Sequence, residues 1–201
     1  DHKGTLATSL IIPKITIGLS DWWNISFQQV LGDRHMGWDL PDSSTHHRPE
    51  HSHSNFLNAV GGYLGDSRLM LRYLALNTGR GVGSRLFIGF GVAIPSKNTL
   101  IKSPFEKDGN GEYEDHRHFA MTDGVHKGQF ELQYYYKKIT NPVFLGGTVK
   151  IAEPLSDNDY GFSGSRLSEF SLSLLFNKNN PLKVPISTNI VISHEAEAFW
   201  N

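Results

Sequence analysis

Alternation of apolar and polar side chains runs through most of this chain and limits its fold more than any other feature. In the segment 129–137 the large apolar residues share one face, and the other face is polar except for Tyr135. In the segment 85–95 the aliphatic face is opposed mainly by glycine and alanine, with Phe87 as the one large exception. A repeat of two residues places successive side chains on opposite faces of an extended backbone. Each segment is therefore predicted to be a β-strand with one apolar face.

The same repeat recurs along the whole chain and predicts about eight strands. The further segments are 6–19, which Pro13 interrupts, and 23–28, 69–75, 143–151, 169–176 and 184–192. The face of small residues that includes Gly91 is expected to tolerate added side chains, so that Gly91→Ser should be nearly silent.

Short and long connections between these strands alternate in order along the chain. The short turns lie at 20–21, 77–81, 140–142 and 177–181, and the long loops at 32–55, 96–125 and 156–165. Short turns at one end and long loops at the other are typical of an outer-membrane barrel. We therefore predict that residues 1–201 form one all-β domain, an antiparallel up-and-down meander of about eight or more strands that favours a transmembrane β-barrel.

A soluble antiparallel sheet with one wet face would give the same alternation in any single strand. The regular order of the loops and the strand length, which matches the roughly 9 to 11 residues of a membrane-crossing strand, favour the membrane barrel. Charged residues are 19% of the chain, fewer than the roughly 25% of average soluble domains. The alternative is a soluble or surface-exposed β-domain that binds metal or a protein partner through its loops.

Charge and cysteine content exclude several function classes. The formal net charge is −1 and no basic cluster is present, so no nucleic-acid partner is predicted. The absence of cysteine excludes disulfides, thiolate metal sites and cysteine nucleophiles. No Gly-x-Ser-x-Gly motif is present, since the nearest segment, 161–165, does not fit it. We predict no catalytic residues and no enzyme activity.

Histidine clusters in the two longest loops, which hold seven of the ten histidines, and an eighth, His126, follows the second loop directly. Pairs two residues apart point to the same side of an extended loop, and neutral imidazole is a good ligand for Cu(II) or Zn(II). The candidate metal ligands are His46, His47, His51, His53, His116 and His118. The competing interpretation is a solvated polar loop. Calcium at 106–113 is the weaker metal alternative, because the twelfth position of that loop is Arg117 instead of a carboxylate.

Five charged residues on the polar faces of the strands are candidates for lining a pore. They are Arg68, Arg72, Arg85, Glu131 and Lys150. In a barrel with lipid outside they would face the lumen and select solutes by charge.

Several short motifs resemble those of outer-membrane channel proteins of the meta-pathway phenol-degradation and putative transporter type. They are Gly18-Leu19-Ser20-Asp21, the Gly-Asp-led segment 65–73, the glycine-rich segment 89–96 that ends after Pro95, and Thr122-Asp123-Gly124. The resemblance implies location in the bacterial outer membrane, contact with its lipid, and passage of small solutes. It also implies that the turn at 18–21 is periplasmic, which would leave both chain ends at the outer surface. A complete barrel keeps both ends in the periplasm, so either a strand is missing at each end or the strand count is wrong.

The predicted function is the passage of small solutes across the outer membrane, with long outer loops that control access. Side chains fill an eight-stranded barrel. Transport would therefore require additional strands or association with other protein chains.

Overall fold

Antiparallel β-strands account for nearly all regular structure in the part of the chain that the structure describes. The computed structural model describes residues 3–39, 50–51, 62–112 and 120–201. The strands are β1 (Lys3–Ile11), β2 (Lys14–Gly18), β3 (Trp23–Asp39), β4 (Glu50–His51), β5 (Leu64–Asn77), β6 (Gly83–Ile94), β7 (Lys127–Lys137), β8 (Phe144–Pro154), β9 (Phe162–Ser163), β10 (Leu167–Phe176), β11 (Ile186–Glu195) and β12 (Phe199–Trp200). No helix in these ranges is long and apolar enough to span a membrane.

The main sheet is an up-and-down meander, as the alternation predicts. Its strand order is β1-β3-β5-β6-β7-β8-β10-β11, with β2 and β4 also paired to β3, and every pairing is antiparallel. Strands β9 and β12 form a separate two-stranded sheet. The sheet does not close, because within the described ranges no strand pairs with the outer sides of β1 and β11. The confirmed fold is thus an all-β antiparallel meander of eight strand positions, and the closed barrel stays a prediction.

Pro13 interrupts the first strand, as expected from its missing backbone N–H. β1 ends at Ile11 and β2 begins at Lys14, and both pair with β3. The backbone N–H of Gln29 donates to the Pro13 carbonyl over 3.1 Å, so the chain stays alongside β3 through the interruption.

The third strand is longer than the sequence predicts. β3 continues to Asp39, so the first part of the predicted loop 32–55 is strand. β1 stabilises this extension by pairing with residues 31–39. Gly32 permits the close approach, since a Cβ there would lie 2.5 Å from the Ser9 carbonyl oxygen. A tertiary pairing therefore decides this boundary.

The two faces of the sheet differ sharply in polarity. On one face, Phe90 and Ile192 are 62% and 63% exposed, whereas on the other Glu131 and Arg72 are only 1% and 7% exposed. Side chains of β2, β3, β5, β6, β7, β8 and β10 line a common cavity of about 130 Å³. The sheet therefore curls around its polar face, and its apolar face is outermost. We call this space the inner cavity.

Aromatic rings fill the interior near the short turns. Phe87 and Tyr135, the two exceptions to the alternation, lie with ring centroids 6.3 Å apart, and Tyr135 lies 5.1 Å from Phe144. Gly146 faces Tyr135 across the β7–β8 pairing, and a Cβ at Gly146 would lie 2.2 Å from the Tyr135 ring. The missing side chain at Gly146 therefore leaves the space that the Tyr135 ring fills.

Candidate functional site

A row of charged residues crosses the inner face of the sheet. The strand register aligns Arg72 of β5 with Gly89 of β6, Glu131 of β7, Lys150 of β8 and Glu169 of β10. All four charged residues line the inner cavity. These side chains are far apart in the sequence, but the pairing of the strands places them in one row across the inner face.

Arg72 and Glu131 form a buried two-point ion pair in this row. Arg72 Nε lies 2.5 Å from Glu131 Oε1, and Nη2 lies 3.3 Å from Oε2. Arg72 Nη1 also donates to the Ser26 hydroxyl over 2.7 Å, and the Gln133 amide donates to Glu131 Oε1 over 2.7 Å. Buried charges are tolerated when they are paired and hydrogen-bonded in this way.

Gly89 makes the contact between Arg72 and Glu131 possible. The two residues lie on strands that flank β6, so their side chains must meet above it, across two strand spacings of roughly 4.8 Å each. A Cβ at Gly89 would approach Arg72 Cγ and Glu131 Cβ to 3.3 Å, and Met70 Sδ to 3.1 Å. The ion pair therefore packs directly on the backbone of β6 at Gly89, where no side chain intervenes.

Other cations at the cavity are also paired. Lys150 Nζ lies 2.9 Å from Glu169 Oε1, and Lys127 Nζ lies 2.6 Å from Asp123 Oδ2. The Arg68 guanidinium lies 4.0 Å from the Asp66 carboxylate, the outer limit of an ion pair.

Lys14 of β2 is different. It lines the inner cavity and interacts electrostatically with Arg72, Glu131 and Lys150. Within the described part of the chain its ammonium group makes no ion pair or hydrogen bond. The sequence contained a signal for this residue, because Lys14 alternates with Ile15 and Ile17. We did not predict it as a pore-lining residue. Alternation with apolar residues would also have identified Glu169, which alternates with Phe170 and Leu172.

Four of the five predicted pore-lining residues line this cavity, namely Arg68, Arg72, Glu131 and Lys150. Arg85 does not line it, because it lies nearer the short turns. Its Nη2 donates to the Gly79 carbonyl in the β5–β6 turn over 2.6 Å.

The link between β6 and β7 folds inward over the long-loop end of the sheet. Asn98 is fully buried, its backbone carbonyl accepts from the Met121 amide over 3.0 Å, and its side-chain amide donates to the Gly62 carbonyl. The Arg34 Nη1 donates to the Ala120 carbonyl over 2.6 Å. The link is thus fixed to β3 and to the start of β5.

The same link also reaches the opposite side of the curled sheet. Asn158, between β8 and β9, donates to the Asp123 carbonyl over 3.0 Å. Here a second cavity, of about 460 Å³, lies between Arg34 of β3 and Glu195 of β11. The described part of the predicted loop 96–125 therefore lies across the mouth of the inner cavity instead of standing away from it.

The predicted histidine site lies almost entirely outside the described residues. This holds for His46, His47, His53, His116 and His118. His51 lies in β4, where its backbone is in register with His35 of β3. Within the described ranges no group of three or more His, Cys, Asp or Glu could hold a metal ion. Copper or zinc binding by the loops stays a prediction.

The segment considered for calcium contains a tight acidic turn. Asp108 Oδ1 accepts the backbone N–H groups of Asn110 and Glu112, each over 2.9 Å. Hydrogen bonds from Glu112 and Asn110 hold the pKa of the exposed Asp108 carboxyl below its usual value. The Asn110 side-chain amide also donates to Asp108 Oδ2 over 3.3 Å, so both carboxylate oxygens take part in closing the turn. Tyr113 and Arg117 of the same segment lie outside the described residues.

Comparisons with known proteins identify no relative, because no family model matches the chain and no curated protein or solved structure is similar to it. The resemblance to outer-membrane channels therefore rests on the short motifs alone.

Proposed function

We propose that this chain is part of a β-barrel in the bacterial outer membrane, through whose polar interior small solutes pass. The observation that carries the proposal is the inverted polarity of the sheet. A soluble domain buries its apolar side chains and exposes its charges, whereas here Glu131 is 1% exposed and Phe90 is 62% exposed. Hydrocarbon is the solvent in which such a surface is stable.

The outer face is a continuous apolar surface across neighbouring strands. In register across four strands it presents Leu71, Phe90, Phe130 and Ile151. Monomeric soluble proteins rarely expose apolar patches larger than a few hundred Å². Strands β5 to β8 have 11 to 14 residues, enough for a tilted strand to cross the hydrocarbon layer.

Closure is compatible with the strand directions. Because the direction alternates at each of the eight positions along the sheet, β1 and β11 run antiparallel to each other, as neighbours in a closed meander must. A barrel of eight strands is filled by side chains, so passage of solutes requires further strands or partner chains to widen the lumen. The inward-folded link between β6 and β7 then controls access from the long-loop end.

Folding into lipid vesicles tests the proposal. The chain should fold into vesicles, and its tryptophan fluorescence should be quenched by brominated lipid acyl chains, because Trp23 is 42% exposed beside Tyr73 on the outer face. Vesicles that contain the chain together with the strands or partner chains that widen its lumen should swell in a pentose solution but not in a tetrasaccharide solution. Empty vesicles, and vesicles that contain only an eight-stranded barrel of this chain, should swell in neither. A chain that is monomeric and folded in detergent-free buffer would contradict the proposal and support the soluble β-domain.

A further inference from the structure

The inner cavity carries an excess of positive charge. Five cationic side chains line it but only three acidic ones, and the latter are Asp66, Glu131 and Glu169. Asp123, which pairs with the cavity cation Lys127, reduces the excess to one charge. This remaining charge has no counterion among the described side chains.

The excess can be assigned to one residue. Arg72, Lys127 and Lys150 each lie within 3 Å of a carboxylate oxygen, and Arg68 lies 4.0 Å from Asp66. Lys14, which is exposed, has no carboxylate within ion-pair distance in the described part of the chain. Its electrostatic neighbours are two cations, Arg72 and Lys150, and one carboxylate, Glu131, which is already paired with Arg72. An anion at Lys14 would relieve this repulsion, whereas a cation would add to it.

Two amide side chains that line the same cavity as Lys14 retain free donors. Gln28 is the direct cross-strand partner of Lys14, and Gln129 lines the same cavity. Neither side chain makes a hydrogen bond to another described residue. A lysine ammonium group offers three donors and a glutamine amide two, whereas a carboxylate offers two acceptor oxygens. The donors at this position thus match a carboxylate.

The other residues that line the cavity limit the size and polarity of the rest of the ligand. Met70, Ala93 and Leu167 supply apolar surface to the cavity, and the volume of about 130 Å³ admits only a small molecule. From these observations we propose that the inner cavity binds a small monocarboxylate at Lys14. This inference rests on the proposed function, for which it names the class of solute.

Trifluoroacetate, a monocarboxylate with a fluorine signal, is a suitable probe. The protein is folded in a zwitterionic detergent, and binding is followed by broadening of the probe's fluorine NMR signal. Acetate should displace the probe in competition. Lys14→Gln should weaken binding about tenfold, the expected loss for one charge-assisted hydrogen bond, and Lys14→Arg should retain it. Lys178→Gln, the same change at an exposed lysine between β10 and β11, is the matched control and should bind as the unchanged protein does.

Three results would overturn the site: no broadening with the unchanged protein, equal binding by Lys14→Gln, or equal loss in Lys178→Gln. Should Lys14→Gln not fold, the displacement by acetate and the binding by Lys14→Arg still decide. Vesicle swelling separates the two proposals. A protein that binds trifluoroacetate through Lys14, but does not make vesicles permeable when the strands or partner chains that widen its lumen are present, retains the site and contradicts solute passage.

Discussion

Arg72 and Glu131 meet across an intervening strand, with Arg72 Nε 2.5 Å from Glu131 Oε1 above the bare backbone of Gly89. The pair is almost completely buried, and it joins β5 to β7 without a backbone contact between them. The absence of a side chain at Gly89 of β6 thus allows two opposite charges in the interior to pair.

Removing one member of this pair should destabilise the fold strongly. Glu131→Gln leaves the Arg72 guanidinium buried without its counterion, at a cost of about 3 to 5 kcal/mol in the free energy of unfolding. Replacing both residues by apolar ones, Arg72→Met with Glu131→Leu, should cost much less, because no charge then stays buried. Urea unfolding of the single and double variants from lipid vesicles measures both values. Equal losses in both would contradict this account.

Two adjacent glycines of β8 should differ in their tolerance of a methyl group. At Gly146 a Cβ would lie 2.2 Å from the Tyr135 ring, whereas at Gly147 its nearest neighbour is the Ser171 carbonyl oxygen at 3.4 Å. Gly146→Ala should therefore destabilise the protein by about 1 to 3 kcal/mol through overpacking, and Gly147→Ala should be nearly neutral. The urea unfolding midpoints of the two variants compare them directly.

A charge should be tolerated inside the sheet but not outside it. Phe90→Arg on the outer face should cost about 2 to 4 kcal/mol if that position lies near the bilayer midplane. Gln129→Glu, on the cavity wall of the neighbouring strand β7, should cost far less, because it adds a negative charge to a cavity that holds an excess of positive charge. The folded fraction in lipid vesicles, read from gel mobility without heating, provides the measurement. Equal costs at the two positions would rule out lipid at the outer face.

The stability of the acidic turn at Asp108 should decrease as the pH falls. Because the pKa of Asp108 is lowered in the folded state, its carboxylate favours the turn above the pKa of an unfolded aspartate. That contribution is lost as the pH falls through the lowered folded value. NMR titration of the Asp108 carboxyl carbon should give a lower pKa in the folded protein than in urea. Coincident titration curves would show that the hydrogen bonds from the backbone N–H groups of Asn110 and Glu112 to Asp108 do not form.

The histidine loops give a prediction that calorimetry can settle. Replacing His51, His53, His116 and His118 together should abolish binding of Cu(II) or Zn(II) without unfolding the sheet, since loops contribute little to a core. Circular dichroism provides the control for folding. Absence of metal binding by the unchanged protein would end the metal hypothesis.

Local pattern was sufficient to predict the strands, because a period of two residues is visible within a single segment. All eight predicted segments fall on strands of the main sheet, and Pro13 separates β1 from β2 as expected. The length of β3 could not be predicted in this way, since its second half exists through pairing with β1.

Alternation also failed where packing between strands decides the outcome. The small face of β6 suggests that Gly91→Ser is silent, yet a Cβ at Gly91 would lie 2.3 Å from the Leu69 carbonyl oxygen. The prediction for Gly91 is therefore wrong. Likewise, alternation assigns Arg85 and Lys150 to the same polar face. It does not show that Arg85 lies outside the inner cavity, because that depends on the strand register and on its hydrogen bond to the nearby turn.

The open sides of β1 and β11 have a consequence for the proposed location of the chain in a bilayer. Each unpaired backbone N–H or C=O group costs several kcal/mol in hydrocarbon, where no water can replace the lost partner. Within the described strands, both sides of the curled sheet still carry such groups. If the chain enters a bilayer as we propose, its entry and the pairing of these last two edges are therefore thermodynamically a single event. A sheet whose edges are still unsatisfied would remain at the water interface, and strands would not cross the bilayer one at a time.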